Sequence, residues 1–216
     1  MDTKKEITEL IEDHSQLLSV IHIGRALNDI KLKFLKKMWD GMYTRVKECT
    51  EVYWAFDTEI SKDKTKFNKD IEDYYKKYKH HGLEILKKEW EYNDVTYKLM
   101  FRIAINVNLH YGIILRDERN GVVYDSAICE KAYKDNFASL EDKWNTKYDD
   151  EKNFWVCWKY PEEYKDENNR CNAFLFNDTF ICFISNKEKM SKFIKECQRF
   201  GLPLKLSDIT DPIAEK

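Results

Sequence analysis

Helix and strand breakers are what this chain has least of: its 216 residues hold only six glycines and three prolines. With so few points at which an element must stop, long helices and strands are favoured, and no stretch reads as a linker between independent domains. There is no internal repeat. Charge of one sign is missing too, since a formal net charge of -2 gives no global reason to expect a polyanionic partner, although a local basic patch needs no net bias. The six cysteines, Cys49, Cys129, Cys157, Cys171, Cys182 and Cys197, are dispersed, with no C-x-x-C pair and no histidine at zinc-finger spacing. Cys157, Cys182 and Cys197 fall on elements predicted to be partly buried, where a thiol behaves as a small apolar group in a reducing compartment. No G-x-S-x-G, Walker loop or G-x-G-x-x-G occurs, so nucleotide-dependent catalysis has no foothold. The opening MDTKKEITELIEDH is charged and lacks a signal-peptide apolar core, and the most apolar stretch, 99 to 115, is broken by Arg102, Asn106, Asn108 and His110. Those absences predict a cytoplasmic, soluble protein with no membrane contact.

Aromatics are what the chain has in plenty, 13 tyrosines, 12 phenylalanines and 6 tryptophans, enough to fill a sheet face. An apolar fraction of 43% against 35% charged excludes wholesale disorder, and the length suffices for one core without disulfide or metal. The organising stretch is Tyr97 to Asp125. Tyr97, Leu99, Phe101, Ile103, Ile105 and Val107 alternate with Lys98, Met100, Arg102, Ala104, Asn106 and Asn108, which predicts a strand with one buried face. Polar residues from Asn106 to His110 predict a reversal, Tyr111 to Arg116 the return strand, and Asn120-Gly121 a second tight turn before Val122 to Tyr124.

On the N-terminal side, Thr3 and Glu6 have the form of a capping box ahead of Ile7, Leu10, Ile11, His14, Leu17, Leu18 and Ile21, predicting a helix over 4–22. After a weak point at Gly24, Leu27, Ile30, Phe34, Leu35, Met38, Met42 and Val46 predict a second helix over 25–48. EVYWAFDTEI is open between a short strand with alternate aromatics exposed and a loop, the strand being preferred. A charged helix with Phe67, Ile71, Tyr74, Tyr75 and Tyr78 inward is expected to end at His80-His81-Gly82, and 83–92 is open between a helical turn and an edge strand. Beyond the sheet, Asp125 or Ser126 caps a helix to about 138 with Ile128, Ala132, Tyr133 and Phe137 inward, and FWVCWKY reads as a strand. Pro161 to Asn172 has no hydrophobic period and is expected as a mobile surface segment. A hairpin flanking Asn177-Asp178 follows, then a helix opened by Ser185 and Glu188 with Met190, Phe193, Ile194 and Cys197 on its stripe. The expectation is one α+β domain: an antiparallel sheet centred on residues 97–124, an N-terminal helical part over about 1–82, a sheet-containing part over 83–202 and a loose tail over 203–216.

Candidate chemistry is sparse. His80-His81 with Glu84 has the residue types of a metal site, but a surface pair at a helix end is preferred, and His14 and His22 read as ordinary helix histidines. Cys129 beside Glu130 and Lys131 sits near a helix start, which lowers a thiol pKa, yet no histidine base is assigned to it. Glu141-Asp142-Lys143 and Lys187-Glu188-Lys189 contain fragments of a metal-nuclease element, but off the paired strand that chemistry requires. No cofactor and no metal are expected. A mixture of cations and aromatics stands out instead: Lys98 and Arg102 on one strand face, Arg116 on the return strand, Trp155 and Lys159 on a later strand. If those faces meet, they offer a binding surface for single-stranded nucleic acid or a partner peptide.

Phe34 with Met38-Trp39, the charged helix, the alternating strand running into Tyr111-Gly112-Ile113, the W-x-x-W-K strand from Trp155 to Lys159 and the closing amphipathic helix together resemble the C-terminal portion of bacterial and prophage PD-(D/E)XK nuclease-superfamily proteins, over about residues 15–200. The family's metal-binding aspartate and E-x-K element lie in an N-terminal half with no counterpart here, so no catalytic residue carries over. What the resemblance implies is a free-standing accessory module of a phage or mobile element that binds protein or nucleic acid without cutting. The expected function is therefore a non-enzymatic interaction or regulatory protein. The alternative is a divergent metal-dependent nuclease or other hydrolase, with Asp125 and Glu130 as the carboxylates to test.

Overall fold

The computed structural model describes residues 14–47, 51–56, 59–77, 81–139, 155–200 and 202. Helix α1 (His14–Val46) is followed by β1 (Val52–Phe56), β2 (Glu59–Ser61), α2 (Lys64–Lys77), β3 (His81–Tyr92), β4 (Val95–Ile105), β5 (Leu109–Arg116), α3 (Ser126–Asn136), β6 (Trp155–Lys159), α4 (Asp178–Ser185) and α5 (Lys187–Arg199). Six strands form one sheet in the order β2-β1-β3-β4-β5-β6, and every neighbouring pair is antiparallel. The fold is α+β. No described helix is long and apolar enough to cross a membrane.

The alternation of β4 sets the sheet's first face. Leu99, Phe101, Ile103 and Ile105 are fully buried there and meet Leu83 and Ile85 of β3 and Tyr111, Ile113 and Leu115 of β5. Helices supply the other half of this core. Leu35, Met38, Trp39, Met42 and Val46 of α1 recur at three- and four-residue intervals and are all buried, while Phe67 and Ile71 of α2 pack beside Trp54, whose ring centroid lies 4.4 Å from that of Phe67. Met190, Phe193, Ile194 and Cys197 of α5 close the far end as their stripe predicts. There Tyr111 donates to Glu196 Oε1 at 2.6 Å. Burial pushes that carboxyl above its ordinary range and the phenol well above its own.

Several expectations are corrected. The two N-terminal helices are one: α1 runs through Gly24, where an added Cβ would meet nothing within 4 Å. A helical glycine costs about 1 kcal/mol but ends a helix only where a left-handed cap follows. The part over 4–13 lies outside the described residues, as do Cys49, Tyr78, His80, Glu141-Asp142-Lys143, Phe154, Gly201, Pro203 and the tail. His81-Gly82 opens β3 instead of closing α2, and β3 is an interior strand between β1 and β4. It turns into β4 through Asn93 and Asp94, both with positive φ (51° and 60°), the twist a two-residue hairpin needs. The division at residue 82 dissolves as well, because β1 and β2 belong to the same sheet. The hairpin expected around Asn177-Asp178 is helix α4: Asn177 caps it by accepting from Phe180 N at 3.0 Å. An apolar run that short has no periodicity to separate strand from helix, and the cap decides. Asn186, not Ser185, caps α5. Segment 161–172 is anchored, since Tyr164 and Cys171 are buried and Leu109 N bonds Cys171 O at 3.0 Å. Cys157 and Cys197 are buried, but Cys182 is exposed.

Close approach of strand backbones makes one test of this packing. A Cβ on Gly112 would sit 2.1 Å from Cys157 O of β6, so Gly112→Ala is expected to lower stability by about 1–3 kcal/mol or more in urea unfolding. Gly24→Ala is expected to raise it by about 0.5–1 kcal/mol.

Candidate binding site

Register, not sequence proximity, assembles the second face of the sheet. Glu84 of β3 pairs with Arg102 of β4, Arg102 with Gly112 of β5 and Gly112 with Trp158 of β6; Lys98 pairs with Arg116, and Met100 with Ile114. A bulge beside Ile113 and Ile114 brings Trp155 opposite Ile114, so Trp155 and Trp158 share this face. Arg116 grips Glu84 through two bonds, Nε to Oε2 at 2.6 Å and Nη2 to Oε1 at 2.9 Å, and Arg102 Nη1 lies 3.1 Å from Oε1. All three side chains are fully buried. Met100, Ala104, Ile114 and Trp155 surround them in a small apolar cluster, with Tyr53, Leu86, Val122 and Trp158 packed against it. The Arg102 guanidinium lies 5.9 Å from the Trp155 ring centroid, and His110 sits edge-on to Trp155 at 5.2 Å.

Four of the five residues expected to form a binding surface, Lys98, Arg102, Arg116 and Trp155, are thus brought to one face. Lys159 is not: it lies on the opposite face, its Nζ 3.7 Å from the Phe200 ring centroid and 3.1 Å from Glu162. The expectation of an open, wet face is corrected too. Arg102 and Arg116 are inaccessible and Trp155 keeps 6% of its surface, because Glu84 and the apolar cluster draw these groups inward, while Lys159 keeps 5% on the other face, over Phe200 and beside Glu162. Of the five, Lys98 alone is half-buried, and it donates to Asn120 Oδ1 at 3.1 Å.

That bond leads to a site the sequence reading missed. After β5 the chain turns tightly: Asn120 has φ 62°, Asp117 N bonds Gly121 O at 2.9 Å and Gly121 N donates to Asp117 Oδ1 at 2.7 Å. Arg116 Nη1 donates to Asn120 O, which locks this turn to the buried cluster. With β1 and β2 the turn forms a pocket of about 450 Å³ lined by Tyr53, Glu59, Ile60, Ser61, Lys62, Arg119, Asn120 and Gly121. Glu59 is bonded to Lys66 at 2.6 Å. Lys62 lies over the Tyr53 ring at 5.2 Å, and Tyr53 donates to Glu51, which together with burial pushes the phenol up to about 12. Neither Lys62 nor Arg119 makes an ion pair among the described residues. Lys62 and Arg119 are 57 positions apart in sequence and nothing local joins them; the Asn120-Gly121 turn was legible, its reach over the sheet was not. A second pocket, of about 470 Å³, is lined by Asn108, Asn168, Arg170, Asn172, Leu175 and Asn177, but Asn172 and Asn177 spend their side chains on local backbone bonds.

The catalytic candidates are otherwise engaged. Strand alternation puts His81 and Glu84 on opposite faces, and His81 lies edge-on to Trp39 at 5.5 Å. Among the described residues no three His, Cys, Asp or Glu side chains are placed to hold a metal. Asp125 caps α3 by accepting from Ala127 and Ile128, and Glu130 pairs with Lys134. Glu188 pairs with Lys192, and Lys189 with Glu163. At Cys129 burial outweighs the helix terminus, and with the Asp125 charge it pushes the thiol up to about 11.

Two outcomes follow from the geometry. Glu84→Ala strands two guanidinium groups in the sheet and is expected to cost about 3–5 kcal/mol in chemical denaturation, whereas Glu59→Ala at the exposed pair costs about 0–1 kcal/mol. Because a raised pKa leaves the thiol protonated, iodoacetamide at pH 8 is expected to label exposed Cys182 before Cys129, Cys157, Cys171 or Cys197, read by peptide mass spectrometry.

No protein-family model, no curated protein and no solved structure matches the chain.

Proposed function

We propose that the protein is a non-enzymatic interaction or regulatory protein whose partner is a nucleic acid, held by its phosphates at the pocket between the β1–β2 edge and the Asn120-Gly121 turn. The observation that carries this reading is the pairing of Lys62 and Arg119 in one pocket without an ion pair among the described residues, while the pocket's carboxylate, Glu59, is already taken by Lys66. Arg119 offers a planar fork of donors and Lys62 a point charge, the two ways in which side chains engage a phosphate. Lys98 adds a third positive charge one hydrogen bond away through Asn120. Tyr53 lines the same pocket, and a lysine over an aromatic ring is a pairing that sites for single strands use. An accessory module of a phage or mobile element, as the resemblance to the PD-(D/E)XK superfamily implies, fits a protein that binds without cutting.

The test is fluorescence anisotropy with a labelled single-stranded oligonucleotide over a salt series. Lys62→Ala and Arg119→Ala are each expected to weaken binding and to lower the salt slope by about 1, with the melting temperature unchanged. Equal affinity in both variants, or no binding by the wild type at low salt, overturns the reading.

A further inference from the structure

The chain's only Asn-Gly pair, Asn120-Gly121, stands in the turn that walls the phosphate pocket. At such a pair a polypeptide attacks itself most readily, because no side chain on the glycine obstructs its nitrogen as it approaches the asparagine Cγ. The reaction needs the peptide N–H to lose its proton and the carboxamide oxygen to hold negative charge. Both needs are met here. Asp117 Oδ1 accepts the Gly121 N–H at 2.7 Å and so stands where a general base takes that proton. Lys98 Nζ donates to Asn120 Oδ1 at 3.1 Å, on the oxygen that becomes negative as Cγ is attacked. Arg116 Nη1 donates to the Asn120 backbone oxygen, which draws electrons from the Asn120-Gly121 peptide and makes its N–H more acidic. A Cβ at 121 would lie 2.9 Å from Asp117 Oδ2, so glycine also leaves the room that this carboxylate occupies. Gly121 is exposed and Asn120 half-buried, and water reaches both.

We propose that Asn120 is a self-modifying site, converted by the groups of its own turn to aspartate or isoaspartate. Gly121 N bonds to Asn120 Cγ while Asp117 takes its proton; the proton passes to Nδ2, the Cγ–Nδ2 bond breaks and ammonia leaves. The cyclic imide then adds water at either carbonyl, and no electrons are gained or lost. Lys98 also brings a nitrogen to the carboxamide, but the carboxylate sits on the Gly121 N–H, which makes Gly121 the nucleophile. Either product puts a carboxylate where a neutral amide stood, in the pocket of Lys62 and Arg119 and beside Lys98. The isoaspartate also lengthens the main chain in the turn that Arg116 holds. The consequence, nucleic-acid binding that weakens as the site converts, rests on the phosphate reading of the pocket; the chemistry does not.

Peptide mass spectrometry of the full chain held at neutral pH follows the conversion. The folded wild type is expected to convert Asn120 about tenfold faster, or more, than the same chain unfolded in guanidinium chloride. Asp117→Asn and Lys98→Met are each expected to lose that advantage when folded and to leave the unfolded rate unchanged. The wild-type comparison needs no variant and decides the matter even if Asp117→Asn fails to fold. A folded rate no faster than the unfolded one, a folded Asp117→Asn as fast as the wild type, or a Lys98–Asn120 cross-link in place of the acid overturns the inference. In the anisotropy assay Asn120→Asp is expected to bind the oligonucleotide about fivefold more weakly than the wild type, and equal binding overturns the consequence. A wild type that converts Asn120 yet binds no oligonucleotide overturns the phosphate reading alone and leaves the self-modification standing.

Discussion

One carboxylate in the middle of the sheet holds two guanidinium groups from the next two strands, and much else depends on it. Removing three charges from water costs several kcal/mol per ion, which their attraction offsets only when the geometry is close and the remaining donors are satisfied. The bidentate grip of Arg116 on Glu84 and the third contact from Arg102 meet the first condition. What such a cluster supplies beyond stability is register. Side chains alternate with a period of two, so slipping β3 by one residue against β4 would carry Glu84 into the apolar core between Trp54 and Ile103 and leave both arginines facing aliphatic groups. An apolar sheet face alone tolerates several alignments; this one tolerates a single alignment.

The same cluster separates what the fold uses from what it leaves available. Arg102, Arg116 and Trp155 read in sequence as a cationic and aromatic surface, and on residue types alone that reading is sound. Burial turns them into structural groups. The two accessible cations of the pocket, Lys62 and Arg119, stand outside the strand pattern, one just past a three-residue edge strand and the other inside a turn. Binding groups commonly lie at such loop positions beside a rigid sheet, because their side chains are free of packing duties.

Legibility followed period and caps. β4, β5, α3 and α5 were readable because alternation or a helical stripe ran long enough to exclude the other, and Asp125 marked the start of α3. Where the run was short and apolar on all sides, as from Ala173 to Ile184, alternation appeared by chance, and the cap at Asn177 outweighed it. Gly24 looked like a boundary because glycine weakens a helix, yet no left-handed cap follows and α1 continues. The candidate site was legible only in part. The sharing of one face by Lys98, Arg102 and Arg116 follows from strand parity; the far position of Lys159 follows from a bulge no local pattern announces; and the meeting of Lys62 with Arg119 depends on a sheet order with β1 and β2 beyond β3.

The buried cluster and the pocket are also mechanically one unit. Arg116 spends one edge of its guanidinium on Glu84 and a separate donor, Nη1, on the carbonyl of Asn120. The turn that presents Arg119 is therefore held from below by the same side chain that holds the strands together, and from the side by Lys98. On the proposed reading, a loop of five residues fixed at two points would lose little further entropy on binding a ligand, and more of the contact energy would remain as affinity. Under that proposal the two buried arginines have separate uses: Arg102 joins β4 to Glu84, and Arg116 joins β5 to the same carboxylate while also tying down the turn.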